Sequence, residues 1–185
     1  GGGGRVHAAE RGRPARAGGE VQGGVADKAN LPWAGQLEHA GVHVVDGVVG
    51  LKTHAKLSLV VRQEAEGLRR YCHIGTGNYN PKTARLYEDL GLLTCNPQVG
   101  EDLTRLVNQL SGWAPRSRFK RLLVAPRSVR WGLVDHIEGE IENVKAGLDG
   151  YVGFKLNSIV DDQMIDALYR ASRAGVKVDL WVRGI

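Results

Sequence analysis

Short apolar runs in the middle of the chain have the length of β-strands. The runs over residues 57–62 and 68–74 flank the polar segment Ala65-Glu66-Gly67, and this spacing predicts a β-hairpin. An earlier run over residues 42–46 predicts a further strand.

Two stretches of the first half have helical character instead. Residues 27–40 predict a helix that Asp27 caps and Gly41 ends, since glycine tolerates the left-handed conformation found after a helix. Residues 99–110 predict an amphipathic helix whose apolar stripe belongs to a core: Leu103, Leu106, Val107 and Leu110.

The second half alternates strands and helices. Residues 113–121, rich in Pro, Ser and Arg, are the candidate domain boundary, so we predict domains over 1–118 and 119–185. A long helix is predicted after the boundary, and then a strand, a helix and a strand (128–146, 151–157, 161–174 and 176–182). This β-α-β order predicts a parallel strand pair joined by a crossover helix.

Composition narrows the class of protein only a little. Hydrophobic content of 42% is enough for a packed core, and a net charge of +5 with pI near 9.4 is consistent with an anionic partner. The arginines are dispersed, so no nucleic-acid partner is predicted. Two cysteines without a ligand spacing predict neither a disulfide framework nor a zinc site. No signal peptide or membrane span is visible, which predicts a cytoplasmic protein, with peripheral association at the inner membrane face as the alternative.

The candidate chemistry is concentrated between residues 51 and 87. His54 and Lys56 stand two residues apart at the entry of a strand, where alternate side chains share a face. The glycines of Gly75-Thr-Gly-Asn78 allow backbone N–H groups to approach a ligand and form a phosphate cradle. Arg85 and Tyr87 follow within about a turn of a helix that starts at Pro81. Imidazole, ammonium, guanidinium and a backbone cradle together indicate phosphoryl chemistry.

The same segments resemble a known family. Residues 50–57, 73–87 and 182–184 are together similar to polyphosphate kinase of the ATP-dependent bacterial type, and the resemblance runs from about residue 8 to residue 185. It implies an α/β fold of phospholipase-D-like domains, each with a mixed sheet flanked by helices. The second domain is expected to be truncated, because the family's second His-containing motif is absent.

The resemblance also implies roles for the residues of the first domain. His54 is the expected nucleophile that attacks the γ-phosphate of ATP, and Lys56 is expected to neutralise the transferring group. Asp89 is the candidate to orient the imidazole, with Glu88 as its rival. Tyr87 matches the family's nucleotide-contacting tyrosine.

Further phosphate contacts are expected in both halves. Arg183 matches a phosphate-binding arginine, and the other candidates for ATP or phosphate are Lys155, Asn157, Asn78 and Arg85. The family implies Mg²⁺, ATP and ADP, inorganic polyphosphate and, for the full-length protein, a homo-oligomer. No metal ligand is predicted here, because Gly24 stands where the family has an arginine of the magnesium site.

The N-terminal region departs from the family. Relatives have the end of a helix near residues 8–12 and then a buried strand, but the positions of that strand, 15–25, are filled with Ala and Gly. Taken alone, residues 1–26 have the composition of a flexible arm.

Two other functions remain open from the sequence. A phospholipase-D-like phosphodiesterase also uses His-x-Lys followed by an Asn-containing glycine turn, although it needs two matching halves. A basic segment that binds polyphosphate or nucleotide without turnover is the second alternative. The isolated chain is expected to be inactive or nearly so.

Overall fold

The computed structural model describes residues 5–10, 14–16, 35–46, 51, 53–112 and 118–184. Backbone contacts divide the chain into two compact units, Gly1–Leu122 and Leu123–Ile185. In the described residues, no helix is both long and apolar enough to cross a membrane.

The first unit contains two antiparallel sheets. The strands of the first sheet, in the order β2-β1-β3, are β1 (Arg5–Glu10), β2 (Pro14–Arg16) and β3 (Val42–Asp46). The second sheet is a meander of three strands: β4 (Lys56–Glu64), β5 (Gly67–Gly75) and β6 (Gly91–Thr94). The hairpin of β4 and β5 confirms the one predicted from the sequence. Gly67 follows its tight turn with φ +117°, a conformation that glycine adopts without strain.

The helices of the first unit are α1 (residues 35–39), α2 (Pro81–Ala84) and α3 (Pro97–Leu110). The end of α1 at Gly41 confirms the predicted stop, since Gly41 has φ +81°; residues 27–34 of that prediction lie outside the described part of the chain. Helix α3 begins two residues before its predicted start, because Asn96 caps it by accepting from the backbone N–H of Gln98 and Val99.

A core joins α3 to the meander. Its buried side chains come from one cross-strand pair of β4 and β5 and from one stripe of the helix: Leu59, Cys72, Leu103, Leu106 and Val107. Burial raises the pKa of the Cys72 thiol, so this cysteine behaves as a small apolar residue, and both cysteines are free.

The buried carboxylate of Asp102 ties the end of the first unit to α3. It accepts from the backbone N–H of Lys120, Arg121 and Leu122 at 2.7, 2.6 and 3.1 Å, and from Arg105 Nη1 at 3.0 Å. Burial alone would raise the pKa of Asp102, but these four donors hold it below its usual value. The segment after the undescribed residues 113–117 is therefore fixed to the helix by a charge.

The second unit is a β-α-β arrangement with one more helix before it. Its elements are α4 (Val129–Lys145), β7 (Tyr151–Ser158), α5 (Asp162–Arg173) and β8 (Lys177–Gly184). Strands β7 and β8 pair in parallel, as predicted, and Gly175 (φ +97°) ends α5. The core is formed by buried residues of both helices, of the start of β7 and of the position just before β8: Ile137, Ile141, Val152, Met164, Ala167, Leu168, Ala171 and Val176.

The structure corrects two expectations. Residues 5–10 form strand β1, paired with β3, where the family resemblance led us to expect the end of a helix near residues 8–12. The reason is that antiparallel pairing with Val42–Asp46 satisfies the backbone groups of this segment in place of helical bonds. The α/β class is confirmed, but the described strands form two antiparallel sheets and a parallel pair instead of one mixed sheet in each domain.

Residues 17–34 lie outside the described part of the chain, and with them Gly24 and most of the expected strand over 15–25. Residues 15 and 16 of the expected strand belong to β2.

Candidate active site

His54 and Lys56 are in contact at the start of the meander. The Nζ atom of Lys56, the first residue of β4, lies 3.0 Å from Nε2 and 3.1 Å from Nδ1 of His54. The prediction that these side chains point the same way is confirmed. An ammonium has donors only, so the ring nitrogen that receives its hydrogen bond must present a lone pair.

The two partners differ in exposure. Lys56 is only 3% exposed, whereas His54 is exposed. A fixed positive charge beside an accessible imidazole is the arrangement that attack on an anionic phosphate needs.

Residues 76–80, called the glycine turn below, leave the sheet beside this pair. Gly75, the last residue of β5, is the cross-strand partner of Lys56, so residues 76–80 follow at the end of the sheet where His54 enters. The hydrogen bonds of Thr76 to Leu90, the residue before β6, anchor the turn: its backbone N–H donates to the Leu90 carbonyl at 2.9 Å, and its Oγ1 accepts from the Leu90 N–H at 3.0 Å. Asn78, a predicted phosphate ligand, lies half-buried in this turn.

Asp89 lies against the same turn. Its Oδ1 accepts from Thr76 Oγ1 at 3.1 Å, and a Cβ added at Gly77 would lie 2.2 Å from its Oδ2. Only glycine at position 77 allows this close approach. The structure thus places Asp89 on the turn, while its predicted action on the His54 ring stays a prediction, as does the rival assignment to Glu88.

Arg85 and Tyr87 follow α2 directly. This helix has a single turn, and Asn80 caps it by accepting from the Lys82 N–H at 2.9 Å. Arg85 is exposed and Tyr87 is 52% exposed, so both side chains are accessible to a nucleotide.

Hydrogen bonds around Tyr79 link it to Ser58 and His73, and the sequence analysis did not connect these three residues. The Tyr79 Oη atom lies 2.6 Å from Nδ1 of His73 and accepts from Ser58 Oγ at 3.3 Å. Ser58 and His73 are cross-strand partners. The register of the hairpin was the available signal, because it places both residues on the face that carries Lys56.

In the second unit, Lys155, Asn157 and Arg183 share one face of the parallel pair. Strand residues of the opposite parity, such as Val152, contact the helices, so these three lie on the other face and are exposed. Leu156 pairs with Val182, which places Asn157 beside Arg183 at the carboxyl end of the strands. The structure therefore groups the predicted anion-binding residues of this unit.

Arg130, on α4, has a structural partner. Its Nε donates to Asp161 Oδ2 at 2.8 Å, and the Asp161 Oδ1 caps α5 by accepting from the Met164 N–H. The Arg130 guanidinium and that N–H hold the pKa of Asp161 below its usual value.

A dedicated metal cage is not found in the described ranges, where no group of three or more His, Cys, Asp or Glu could hold an ion. A divalent cation bound mainly by the phosphates of a nucleotide would need no such cage.

Comparison with known proteins gives a consistent result for both units. The family models of polyphosphate kinase C-terminal domain 1 and C-terminal domain 2 match residues 5–116 and 122–185. The polyphosphate kinases of Streptomyces coelicolor and Mycobacterium tuberculosis are 59% and 52% identical to the chain over 180 and 184 residues, 97% of its length in both cases.

A solved structure also matches. The crystal structure of polyphosphate kinase from Porphyromonas gingivalis has a TM-score of 0.75 and 42% identity over 84% of the chain. The chain spans about a quarter of each of these relatives: 24%, 25% and 24% of their lengths.

Proposed function

Because the chain belongs to the polyphosphate kinase family, we propose that it is part of an enzyme that reversibly transfers the γ-phosphate of ATP to inorganic polyphosphate through a phosphohistidine at His54. The observation that carries the proposal is the contact of Lys56 with His54 beside the glycine turn. We also propose the phospholipase-D-like fold for both units.

The first step is attack by a His54 ring nitrogen on the γ-phosphorus of ATP. Its lone pair forms the N–P bond, and the bond from the γ-phosphorus to the bridging oxygen breaks, so ADP leaves with that electron pair. In the second step a terminal oxygen of polyphosphate attacks the phosphorus, the N–P bond breaks, and the imidazole is restored.

Lys56 has a proposed role in starting the first step. Anionic phosphate oxygens accept from an ammonium more strongly than a neutral imidazole does. Arrival of a triphosphate would therefore draw Nζ away from His54 and release the lone pair for attack. The same ammonium would then neutralise the transferring group.

The other candidates are assigned to binding. Asn78 and the N–H groups of residues 76–78 would contact phosphate, and Arg85 and Tyr87 the nucleotide. Lys155, Asn157 and Arg183 would hold phosphate in the second unit, and Asp89 would orient the His54 ring. The full-length protein is proposed to be a homo-oligomer.

Magnesium is proposed to accompany the nucleotide. When bound, it would withdraw charge from the phosphate oxygens. The described residues of this chain offer it no cage of carboxylates.

The alternatives have unequal support. Both family models and the named relatives favour the kinase over a phosphodiesterase. A segment that binds without turnover is still consistent with a chain that spans a quarter of its relatives.

Labelling with γ-labelled ATP and magnesium tests the proposal. Labelling reports the first half-reaction alone, which is separate from the polyphosphate synthesis in which the isolated chain is expected to be inactive. The wild-type chain should acquire an acid-labile, base-stable label that is absent from His54→Ala. His136→Ala, which changes an exposed histidine of α4, is the matched control and should label normally. Equal label in His54→Ala would overturn the phosphohistidine. No label on the wild-type chain, with its circular dichroism intact, would contradict phosphorylation by this chain and favour the binding segment.

A further inference from the structure

The tyrosine of the glycine turn is held by both strands of the hairpin. Ser58 lies on β4, His73 on β5, and Tyr79 four residues after the end of β5. The three polar groups form a connected chain: Ser58 Oγ donates to Tyr79 Oη at 3.3 Å, and Tyr79 Oη lies 2.6 Å from His73 Nδ1. Because the tyrosine oxygen accepts from Ser58, its own proton is available for Nδ1.

The His73 ring occupies a space that two glycines provide. Gly75 and Gly91 are cross-strand partners, and Gly75 lies on the same face of β5 as His73. A Cβ at Gly75 would lie 3.0 Å from Cε1 of His73, and a Cβ at Gly91 would lie 2.7 Å from its Nε2. Alanine at position 91 would displace the ring, so the ring orientation that meets Tyr79 depends on this glycine pair.

The hydrogen-bond chain acts on the part of the turn that Thr76 does not fix. The hydrogen bonds of Thr76 to Leu90 and Asp89 anchor the start of the turn, and Asn80 anchors its end at α2. Asn78 lies between these anchors, next to Tyr79. The Tyr79 ring is 41% exposed, so packing alone holds it weakly and its hydroxyl contributes much of its fixation.

We infer that Tyr79 is a positioning residue for the site: the Ser58–Tyr79–His73 hydrogen bonds hold Asn78 and the adjoining backbone N–H groups in place for phosphate beside His54 and Lys56. The inference rests on the proposed function for the identity of the ligand. The geometry of the turn stands independently of catalysis, and the experiment separates the two.

The experiment compares Tyr79→Phe with Tyr169→Phe in the chain. Phenylalanine removes one hydroxyl and keeps the ring; Tyr169, 63% exposed on α5, is the matched control. Amide hydrogen exchange of residues 77–79 should accelerate about tenfold or more in Tyr79→Phe, because the hydroxyl's bonds to Ser58 and His73 are both lost, and should not change in the control. Binding of inorganic tripolyphosphate should weaken by a similar factor.

A spectroscopic signature reports the hydrogen bond itself. In the wild-type chain, the ¹⁵N resonances of His73 should show that Nδ1 accepts a hydrogen bond, as the contact with Tyr79 Oη requires. Tyr79→Phe should shift the Nδ1 resonance. Purely structural damage elsewhere would leave this signal unchanged.

Substitution of His73 identifies which nitrogen matters. Asparagine places a polar atom near the position of Nδ1, and glutamine places one near Nε2. His73→Asn should keep slow exchange and tripolyphosphate binding, whereas His73→Gln should lose both. If Tyr79→Phe fails to fold, these two variants of His73 test the positioning role in its place.

The outcomes are distinguishable from failure of the proposed function. Unchanged exchange and tripolyphosphate binding in Tyr79→Phe would overturn the positioning role, whether or not His54 is labelled by ATP. Tripolyphosphate binding that persists in His73→Gln and is lost in His73→Asn would also overturn the positioning role. If the wild-type chain binds tripolyphosphate but is never phosphorylated, the exchange and binding contrasts still decide the positioning role, and only the catalytic proposal fails.

Discussion

The Nζ atom of Lys56 is shared between the two ring nitrogens of His54, 3.0 Å from Nε2 and 3.1 Å from Nδ1. A buried ammonium that faces both nitrogens of an exposed ring can remain beside the imidazole whichever nitrogen carries the proton. The lysine is thus placed to serve either nitrogen as nucleophile.

Replacement of Lys56 by methionine should slow phosphorylation of His54 by about 10²–10³-fold, as loss of one donor to a developing negative charge does in other enzymes. Methionine fills a similar volume, so the fold should persist. Lys56→Arg should be intermediate, because its charge is kept on a larger planar group. The measurement is the rate of label transfer from γ-labelled ATP. Lys82→Met, at an exposed position on α2, is the control, and equal rates for Lys56→Met and Lys82→Met would contradict the role.

Alanine at two glycines should change stability in opposite directions. Gly77→Ala should destabilise the first unit by about 1–3 kcal/mol, because its Cβ would overlap Asp89, whose own Cβ is 2.8 Å from that position. Gly139→Ala should stabilise the second unit by about 1 kcal/mol, because it lies within α4 with no atom within 4 Å of the added Cβ. Urea unfolding of the two variants measures both effects. Stabilisation by Gly77→Ala would show that the close contact with Asp89 is not present in solution.

Removal of the Asp102 carboxylate should leave buried backbone N–H groups without an acceptor. Asp102→Ala should therefore lose about 3 kcal/mol of unfolding free energy, and Asp102→Asn less, because an amide oxygen can still accept. Asp135→Asn, at an exposed position of α4, is the control. Urea unfolding at neutral pH measures the differences, and a loss no larger than that of the control would contradict the structural role of Asp102.

The same carboxylate predicts a pH dependence. Its folded pKa lies below its usual value, so its contribution is complete above the unfolded pKa of about 3.9. The contribution is lost as pH falls through the lower folded pKa. Acidification below about pH 4 should destabilise the wild-type chain more than Asp102→Asn. Urea unfolding across this pH range measures the effect. An equal loss of unfolding free energy in the wild-type chain and in Asp102→Asn would assign the acid sensitivity to other groups.

The two roles of Asp161 can be separated by its amide and alanine variants. Asp161→Asn keeps an oxygen for the Met164 N–H and loses the charge that faces Arg130, whereas Asp161→Ala loses both. Alanine should therefore cost about 1 kcal/mol more than asparagine, the usual contribution of an N-cap. Thermal unfolding of the two variants gives the difference, and raised salt should narrow the gap between wild type and each variant while leaving the difference between the two variants unchanged. Equal stability of the two variants would mean that the cap contributes nothing.

The sequence predicted those features that depend on neighbouring residues. The hairpin, the end of α1 at Gly41 and the parallel pair β7–β8 follow patterns within short segments of the sequence, and the structure confirms them. The contact of His54 with Lys56 was also predictable, because the two residues are separated by a single position near a strand.

What the sequence did not reveal depends on pairing between distant segments. In the sequence, Asp102 is one more polar residue of a predicted helix. Its structural role depends on the backbone N–H groups of residues 120–122, which donate to it from a distant segment. Tyr79 gave no signal before the register joined Ser58 to His73. The grouping of strands into three sheets likewise depends on long-range hydrogen bonds that no local pattern specifies.

The meander that begins at Lys56, two residues after His54, has a consequence for the order of folding. The side-chain hydrogen bonds around its glycine turn join residues that are 2, 21, 6 and 13 positions apart. Closing loops this short costs little entropy, and such local contacts favour rapid formation. The His54 end of the site should therefore assemble early, as one cooperative segment, with the ring, the ammonium and the turn placed by the same event.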